Sequence, residues 1–501
     1  MNNMQKLIAQ LLKTNNLTYI QINNLKKQYA ARNKTKLPLN SEILAGATAE
    51  QRKKLIKFLK TKPTRTLSGV SIIAIMTPPK PCPGKCIYCP QGDNAPKSYT
   101  GFEPAAMRAQ LNDFDAYKQV QNRLGQLNSI GHDTSKNELI IMGGTFPALS
   151  WKEQQKFTKE AFNGFNKKKS KTLAEAQKIN ETTKHRVIGL TLETRPDFIN
   201  PKQFLELGAT RVELGVQSTS DKILKKVCRG NTIKQVADAT KELKDNCFKI
   251  LYHLMPGLPG ATFESDVQMF QTIFDDARFK PDMLKIYPTL VIKGTKLYDL
   301  WKKGTYTPIN EEYMIELLKK IYQIAPKWVR IMRVQRDIPA PYIEAGPKKS
   351  NIRQEVLKTL KQSKEIRFRE AGHSALLRKI TPKQVDIVVE KYTASDGDEY
   401  FISAEDIKQD ILLGFCRLRI GKRKEAMIRE LHIYGKVTPI GKEGEVQHTG
   451  LGKQLMEKAE QIAKERDKKE IIVISGVGVR EYYKKINYIF KDSFMWKILK
   501  K

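Results

Sequence analysis

The stretch Pro81-Cys82-Pro83-Gly84-Lys85-Cys86-Ile87-Tyr88-Cys89-Pro90 decides how the first half of this chain is interpreted. Its three cysteines have a C-x3-C-x2-C spacing, which offers three thiolates to a four-iron cluster and leaves one iron without a protein ligand. S-adenosylmethionine (SAM) chelates such an open iron before its reductive cleavage to a radical, chemistry that belongs to the cofactors. The spacing therefore predicts a 4Fe–4S cluster on Cys82, Cys86 and Cys89.

A zinc site and a disulfide are the alternative interpretations of these cysteines. Structural zinc takes four ligands, commonly as two separated pairs, and the next candidate ligand, His132, lies over forty residues further on. A three-ligand zinc site is the alternative that remains open. A disulfide suits neither the odd number of thiols nor a reducing compartment. The other cysteines, Cys228, Cys247 and Cys416, are scattered, and we expect them to fill core positions.

The composition indicates a large basic protein with two or three domains. The chain has 501 residues and a net charge of +36, and such a surface attracts polyanions. Residues 1–65 carry fourteen Lys or Arg against two acids, which favours nucleic-acid binding through counterion release. A lysine-rich genome is the alternative explanation. No window approaches the roughly eighteen apolar residues of a membrane span, so we expect a cytoplasmic protein that does not enter membranes.

From residue 69 onward, short apolar runs alternate with longer amphipathic stretches. The runs cover residues 70–76, 138–142, 187–192, 211–216, 249–255 and 283–286. Strands that alternate with helices in this way predict a parallel α/β barrel, complete or partial. The chemistry of such barrels gathers at the C-terminal ends of the strands, and the cysteine stretch directly follows the first run.

Candidate SAM contacts follow the second, third and fourth runs. Glycines at a strand end let the backbone approach a ligand closely, and barrels that cleave SAM hold its methionine end at this place. The alternatives are an ordinary turn at the glycines, a salt bridge between Glu193 and Arg195, and a satisfied polar group at Gln217. The candidate SAM contacts are Gly143, Gly144, Thr145, Glu193, Arg195 and Gln217.

A second α/β unit begins near residue 386 and carries three elements in a fixed order. A predicted strand over 429–434 offers an edge to a pantetheine arm. Gln447-His448-Thr449-Gly450-Leu451-Gly452-Lys453 then opens a long helix, where glycine amides and the helix dipole suit a diphosphate. Residues 476–483 follow a further strand and end in two tyrosines, for which core packing is the alternative. This order is the signature of a GCN5-related N-acetyltransferase (GNAT) domain, which binds acetyl-CoA.

These patterns divide the chain into four parts. They are a basic helical region at 1–65 that is expected to bind nucleic acid, a radical-SAM barrel of partial TIM-like form at 66–344, a basic connector at 345–385, and the GNAT domain at 386–501. The fold class is therefore α/β throughout the two larger parts. His432 is interpreted as a residue of the cofactor-binding strand and not as a catalytic base.

The pairing of these two sites in one chain resembles the family of the catalytic subunit of Elongator, the tRNA-uridine carboxymethyltransferases of archaea, eukaryotes and some bacteria. The resemblance covers roughly residues 50–499. It rests on the cysteine stretch, the glycine loop and the segments 65–70, 98–104, 140–146, 192–197, 213–218, 332–337 and 430–435.

The resemblance implies which residues contact acetyl-CoA and what the chain does. With the glycine loop included, the expected contacts are Lys136, Glu430, Leu431, His432, Ile433, Gln447, Gly450, Leu451, Gly452, Lys453 and Tyr483, and the catalytic candidates are Tyr482 and Tyr483. The hypothesis is that a SAM-derived radical takes a hydrogen from the acetyl methyl group. The resulting carbon radical then adds to C5 of the wobble uridine, position 34, which leaves a carboxymethyl group after thioester hydrolysis.

Two departures from the family pattern concern metal ligands. Members of the family often read Cys-Pro-His-Gly-Lys-Cys between the first two cysteines, and the histidine is missing here. Many also carry zinc-binding cysteines ahead of Gly372-His373, whereas residues 364–373 contain none. We therefore expect the cluster but no zinc, with apolar packing around Phe368 where the zinc site lies in relatives.

Two other functions are weighed against tRNA modification. One is a protein lysine acetyltransferase whose iron–sulfur domain is only structural, although a basic-tail substrate suits a protein of net charge +36 poorly. The other is a tRNA-binding scaffold that has lost turnover, against which the complete cysteine triplet and glycine loop argue. The expected partners are tRNA, acetyl-CoA and an electron donor for the cluster, and a homodimer is left open.

Overall fold

Four helices around a small apolar cluster of their own form the N-terminal region. The structure is a computed structural model and describes residues 3–14, 17–434 and 450–500. The hydroxyls of Thr18 and Thr48 cap the second and fourth helices. Arg52 ties the region to the barrel because its guanidinium donates to the carbonyl oxygens of Leu44 and Asn128. The helices are α1 (Asn3–Lys13), α2 (Tyr19–Asn33), α3 (Asn40–Gly46) and α4 (Ala49–Leu59).

Seven parallel strands follow, and they lie side by side in their order along the chain. Because β1 and β7 are the two edges of this sheet, the barrel is partial. The prediction of a parallel barrel, complete or partial, is confirmed; β7 is a strand that the apolar runs did not include. The strands are β1 (Ser71–Met76), β2 (Lys136–Met142), β3 (Arg186–Thr194), β4 (Arg211–Gln217), β5 (Lys249–Leu254), β6 (Met283–Ile286) and β7 (Arg330–Val334).

Alternate residues of each strand face opposite sides of this sheet. Val212 and Leu214 of β4 belong to the main hydrophobic core with the helices. The intervening Glu213 is also buried and pairs with Arg211 of its own strand and Lys285 of β6. The helices are α5 (Pro104–Leu111), α6 (Ala116–Ser129), α7 (Trp151–Asn166), α8 (Leu173–Asn180), α9 (Pro201–Leu207), α10 (Asp221–Lys226), α11 (Ile233–Asp245), α12 (Phe263–Asp275), α13 (Lys296–Lys302) and α14 (Glu311–Ile324). We call the concave, charge-lined side of the sheet the lumen.

The connector is partly helical and partly buried. Phe368 is buried as expected, but its ring faces Arg378 at 5.5 Å, and its neighbours Arg369 and Glu370 are held by ion pairs to Glu405 and Arg330. The segment is therefore fixed largely by buried charges, a difference from the apolar packing that we expected. Its helices are α15 (Ile352–Thr359), α16 (Ile366–Arg369) and α17 (Ala371–His373).

A second sheet of seven strands forms the C-terminal part, in the order β13-β14-β12-β11-β10-β9-β8. Among the described strands of this sheet, only β11 and β12 pair in parallel, and α18 packs on the sheet. The elements are β8 (Asp386–Ala394), β9 (Gly397–Asp406), β10 (Ile411–Ile420), β11 (Ala426–Ile433), α18 (Leu451–Glu465), β12 (Glu470–Val473), α19 (Arg480–Lys484), β13 (Ile489–Lys491) and β14 (Phe494–Ile498).

This second sheet docks at the N-terminal ends of the barrel strands. Arg429 of β11 is fully buried and donates to both carboxylate oxygens of Asp282, which directly precedes β6, at 2.6 and 2.7 Å. The same guanidinium donates to Glu399 at 2.9 Å. We call Asp282, Glu399 and Arg429, together with Arg417, the interface ion cluster. None of the helices in the described parts of the chain is long and apolar enough to cross a membrane.

Candidate active sites

The three cysteines line one cavity of about 650 Å³ at the C-terminal ends of the barrel strands. We call it the thiol cavity. Five of the six predicted SAM contacts line the same cavity, namely Gly144, Thr145, Glu193, Arg195 and Gln217. These residues come from three different strand ends and meet only because the strands are parallel. The predicted grouping is therefore present as geometry.

The surroundings of the thiols fit an iron–sulfur cluster. Arg229 donates to the sulfur of Cys86 at 3.6 Å, and the backbone N–H of Gly84 donates to that of Cys82 at 3.5 Å. The hydroxyl of Ser98 lies 3.0 Å from the sulfur of Cys89. Cationic and N–H donors beside sulfur compensate the negative charge of a thiolate-bound cluster. The donor set thus matches three cluster ligands.

Glycine is required at two places around this cavity. Gly143 has φ +124°, and a Cβ there would collide with the hydroxyl of Thr77. Gly84 approaches Arg195 so closely that a Cβ would lie 2.5 Å from its guanidinium nitrogen. Gly143 does not itself line the cavity. It lets β2 pack on β1 and so places Gly144 and Thr145.

Glu193 and Arg195 have different partners and do not form the salt bridge that was the alternative. Arg195 pairs with Asp197 at 2.8 Å and donates to the carbonyl oxygen of Arg229 at 3.0 Å. Glu193 pairs with Lys285 at 3.1 Å. The buried side-chain oxygen of Gln217, a residue with φ +69°, has no hydrogen-bond partner among the described residues. A buried acceptor without a partner fits a ligand donor, such as the amino or hydroxyl groups of SAM.

The sequence did not predict the charged groups below the cavity. Glu213 accepts from His253 at 2.8 Å and also pairs with Lys285 and Arg211. Burial opposes the ionisation of Glu213, but the positive charge of Lys285 holds its pKa well below the ordinary value. The sequence signal that could have indicated these charged groups is the alternation of polar and apolar residues along β4. A lumen lined by charges differs from the branched apolar filling usual in α/β barrels.

The acetyl-CoA candidates gather where β11 and β12 diverge. The two strands pair only from Ala426 to Ile428, and β11 continues to Ile433. Leu431 and Ile433 face α18, because a Cβ on Gly452 would lie 3.9 and 3.8 Å from them. Gly450 precedes α18 with φ +88°. This V-shaped opening beside a helix N-terminus fits a pantetheine arm and a diphosphate.

The two candidate tyrosines have different environments. The buried hydroxyl of Tyr482 has no hydrogen-bond partner in the described residues and lies 3.0 Å from the position of a Cβ on Gly452. Burial raises the pKa of Tyr482 to about 12, so its hydroxyl keeps its proton at neutral pH. Tyr483 instead packs inside the core, with its ring 5.1 Å from that of Tyr482 and 5.9 Å from that of Tyr488. An unpaired donor beside Gly452 fits a thioester ligand.

The remaining acetyl-CoA candidates are dispersed. His432 points toward the barrel and lies 3.2 Å from the carbonyl oxygen of Ser68, and Glu430 accepts from Arg417 at 2.9 Å. Lys136 begins β2, and burial lowers its pKa to about 8. Lys453 is exposed and lies 3.6 Å from Glu457. Leu451 is buried in the hydrophobic core between α18 and the second sheet, and Gln447 lies outside the described residues.

Comparison with known proteins gives the family. The chain is 48% identical over 489 residues to the tRNA uridine(34) acetyltransferase of Methanocaldococcus infernus, and the alignment covers 92% of each chain. It is 38% identical over 512 residues to human Elongator complex protein 3, over 96% of this chain and 94% of that protein. The chain belongs to the Elongator complex protein 3 family. The solved archaeal Methanocaldococcus infernus Elp3 with N-terminus deletion (1-46) superimposes with a TM-score of 0.77 at 44% identity, covering 87% of this chain and 100% of that one.

Four family models match successive parts of the chain. They are the ELP3 N-terminal domain at 1–67, the radical SAM superfamily at 76–273, the Radical_SAM C-terminal domain at 281–362 and the acetyltransferase (GNAT) family at 368–488. The predicted order of a partial radical-SAM barrel followed by a GNAT domain is confirmed. Radical SAM membership implies a 4Fe–4S cluster and SAM, and acetyl-CoA fits the GNAT part.

Proposed function

We propose that this protein modifies the wobble uridine of tRNA, installing on C5 a carboxymethyl group whose carbons come from acetyl-CoA. One observation carries the proposal. A single chain holds both a cavity with three thiols and a GNAT opening with an unpaired tyrosine hydroxyl. The chain is 48% identical to a protein named tRNA uridine(34) acetyltransferase, and this similarity supports the same substrate.

In this proposal Cys82, Cys86 and Cys89 hold the cluster, and Gln217, Glu193 and the strand-end glycines position SAM. When bound together, the cluster and SAM supply the radical that activates the acetyl methyl group for addition to a carbon. Arg229 stabilises the charge on the sulfur of Cys86. Lys285 pairs with both Glu213 and Glu193, and these ion pairs fix the position of the Glu193 carboxylate in the cavity wall.

On the GNAT side the amides that follow Gly450 bind the diphosphate, and β11 orients the pantetheine arm. The hydroxyl of Tyr482 donates to the thioester sulfur or to the thiolate that leaves it, since its raised pKa keeps it protonated. Tyr483 holds the ring of Tyr482 in place through their contact. Of the two candidates, Tyr482 is therefore assigned the proton transfer and Tyr483 a positioning role.

The acetyl group needs a route between the two sites, which lie toward opposite ends of the barrel strands. Thr66 lines the thiol cavity and also a second cavity of about 1210 Å³. Arg186 lines this second cavity, and Gly478 packs on Arg186 so tightly that a Cβ would lie 2.5 Å from it. The thiol cavity thus extends past Ile72 and Ala74 of β1, an edge of the partial barrel, and the second cavity continues from Thr66 beside the starts of β2 and β3 to the GNAT part. We assign this edge as the route.

The test is anaerobic incubation of cluster-reconstituted protein with tRNA, SAM and acetyl-CoA labelled in the acetyl group, followed by nucleoside mass spectrometry. Label in carboxymethyluridine that depends on all three additions supports the proposal. Unmodified uridine together with acetylated lysine on added protein would instead support the lysine acetyltransferase. The electron donor, a homodimer, the cytoplasmic location and the drawn domain limits stay predictions.

A further inference from the structure

Three arginines stand together in the wall of the thiol cavity with no role in holding the cluster. Arg65 lies in the turn over residues 63–66, Arg108 on α5 and Arg123 on α6, and all three line the cavity. We call them the arginine triad. The segments that carry them, which are α5, α6 and the turn over residues 63–66, all contact β1, an edge of the partial barrel.

The triad has no acidic partner within the described residues. Arg108 donates to the carbonyl oxygen of Pro104 at 2.8 Å, and Arg123 to the side-chain oxygen of Gln126 at 3.3 Å. The buried Nε of Arg123 has no hydrogen-bond partner there either. Burial and then the charges of Arg108 and Arg65 lower the pKa of Arg123 to about 10. Unpaired guanidinium groups that repel one another in a cavity wall are the state of a site for a strong anion.

The acids of the same cavity wall are already engaged. Glu103 accepts the backbone N–H groups of Thr100 and Gly101, Glu193 pairs with Lys285, and Asp337 pairs with Arg333. None of them is therefore available to neutralise the triad without losing its own partner. Apart from the three cysteine thiolates, an external anion is the remaining source of negative charge in this cavity.

A stacked aromatic pair near the mouth of the cavity indicates what carries that anion. The rings of Phe102 and Tyr342 lie 3.9 Å apart at an interplanar angle of 13°, and the two residues are 43% and 39% exposed. Phe102 adjoins Glu103, which lines the cavity, and Tyr342 lies in the segment that follows Asp337, which also does. Exposed aromatic faces stack unpaired bases, and arginines bind the phosphates between them.

We propose that the arginine triad binds a backbone phosphate of single-stranded RNA beside the target nucleotide, while an outer face of the Phe102–Tyr342 pair stacks a neighbouring base. This inference rests on the proposed function, since it names the part of the tRNA that the cavity holds. The target base then enters the thiol cavity because the phosphate beside it is fixed in the wall of that cavity. The phosphates of CoA are the other source of the same anion.

The test measures binding of an anticodon stem-loop RNA to the full chain by fluorescence anisotropy at several salt concentrations. Arg123→Gln should weaken binding about tenfold, the loss of a charge-assisted hydrogen bond. It should also reduce the slope of log affinity against log salt by about 0.7–0.9, since one phosphate contact is lost. The RNA affinity of Arg123→Lys should lie between those of the wild type and Arg123→Gln, because lysine keeps the charge but lacks the planar guanidinium. Arg278→Gln is the matched control, since Arg278 is exposed and paired with Asp276.

Thermal unfolding separates this role from a structural one. Removing one of three repelling charges should leave the melting temperature of Arg123→Gln without RNA equal to or above that of the wild type. A lower melting temperature with unchanged RNA affinity overturns the inference. So does a loss of acetyl-CoA affinity, measured by calorimetry, with RNA binding retained, because the anion is then that of CoA. If wild-type protein binds and modifies RNA while Arg123→Gln binds it equally well, the phosphate site fails and the proposed function stands.

Discussion

The interface ion cluster and the thiol cavity differ in how their buried polar and charged groups are paired. At the N-terminal ends, Arg429, Asp282 and Glu399 satisfy one another and join the GNAT part to the barrel. In the thiol cavity, the acceptor of Gln217 has no hydrogen-bond partner and the arginine triad has no acidic partner among the described residues. The acids of the interface ion cluster are paired with cations of the protein, whereas the arginine triad faces a cavity that a ligand can enter. The difference indicates which charges serve folding and which serve binding.

The largest expected effect comes from removing a thiol. Cys86→Ala should abolish cluster absorbance and SAM cleavage, because two thiolates remain where three are needed. Acetyl-CoA binding, measured by calorimetry, should be retained, since that site lies at the other end of the strands. The matched control is Cys228→Ala, an exposed cysteine for which we expect full absorbance. Loss of acetyl-CoA binding in a folded Cys86→Ala protein would contradict the separation of the two sites.

The next largest effect tests the interface ion cluster. Arg429→Leu removes the cation that Asp282 and Glu399 share and leaves them with the pairs to Arg417, Arg419 and Lys244. It should lower the free energy of unfolding by about 3 kcal/mol, the lower end of the cost of breaking a buried ion pair. Arg278→Leu removes one partner of an exposed pair and should change it by at most about 1 kcal/mol. Urea denaturation followed by tryptophan fluorescence measures both. Equal stability of the two variants would show that the interface ion cluster does not hold the parts together.

The sequence predicted the features that depend on local pattern and missed those that depend on distant pairs. Apolar runs located six of the seven barrel strands because each run is its own signal, and parallel strands then brought Cys82, Thr145 and Gln217 to one edge. The pairing of Asp282 with Arg429 joins residues 147 positions apart and has no local pattern. Lys285 was likewise a single lysine in a short run, and it meets Glu213 only because β4 and β6 flank β5 in the curved sheet.

A smaller effect separates the two tyrosines of the GNAT part. Tyr482→Phe should lower the rate of RNA-dependent consumption of acetyl-CoA about 100-fold, the usual size of a lost proton donor. It should leave stability unchanged because the hydroxyl has no hydrogen-bond partner in the described structure. Tyr483→Phe keeps the ring that packs in the core, and we expect a rate within a few-fold of wild type. Release of free CoA thiol measures both rates, and equal rates for the two variants would remove Tyr482 from proton transfer.

The smallest effect concerns the glycines at the start of α18. Gly450→Ala should weaken acetyl-CoA binding about tenfold, since a left-handed alanine is disfavoured by about 1–2 kcal/mol. Gly452→Ala acts differently, because its Cβ would lie 3.0 Å from the hydroxyl of Tyr482. Gly125→Ala in α6 is the control, since no atom lies within 4 Å of its Cβ position.

The two glycines can be told apart by a second substitution. In a Gly452→Ala protein, Tyr482→Phe removes the atom that the new methyl group meets, so calorimetry should show acetyl-CoA affinity recovering toward the wild-type value. In a Gly450→Ala protein the same change should restore nothing, because the strain there lies in the backbone. The coupling energy between positions 452 and 482 should then exceed about 0.5 kcal/mol, and that between 450 and 482 should be near zero. Recovery in both backgrounds, or in neither, would mean that the hydroxyl of Tyr482 does not border the path of the bound cofactor.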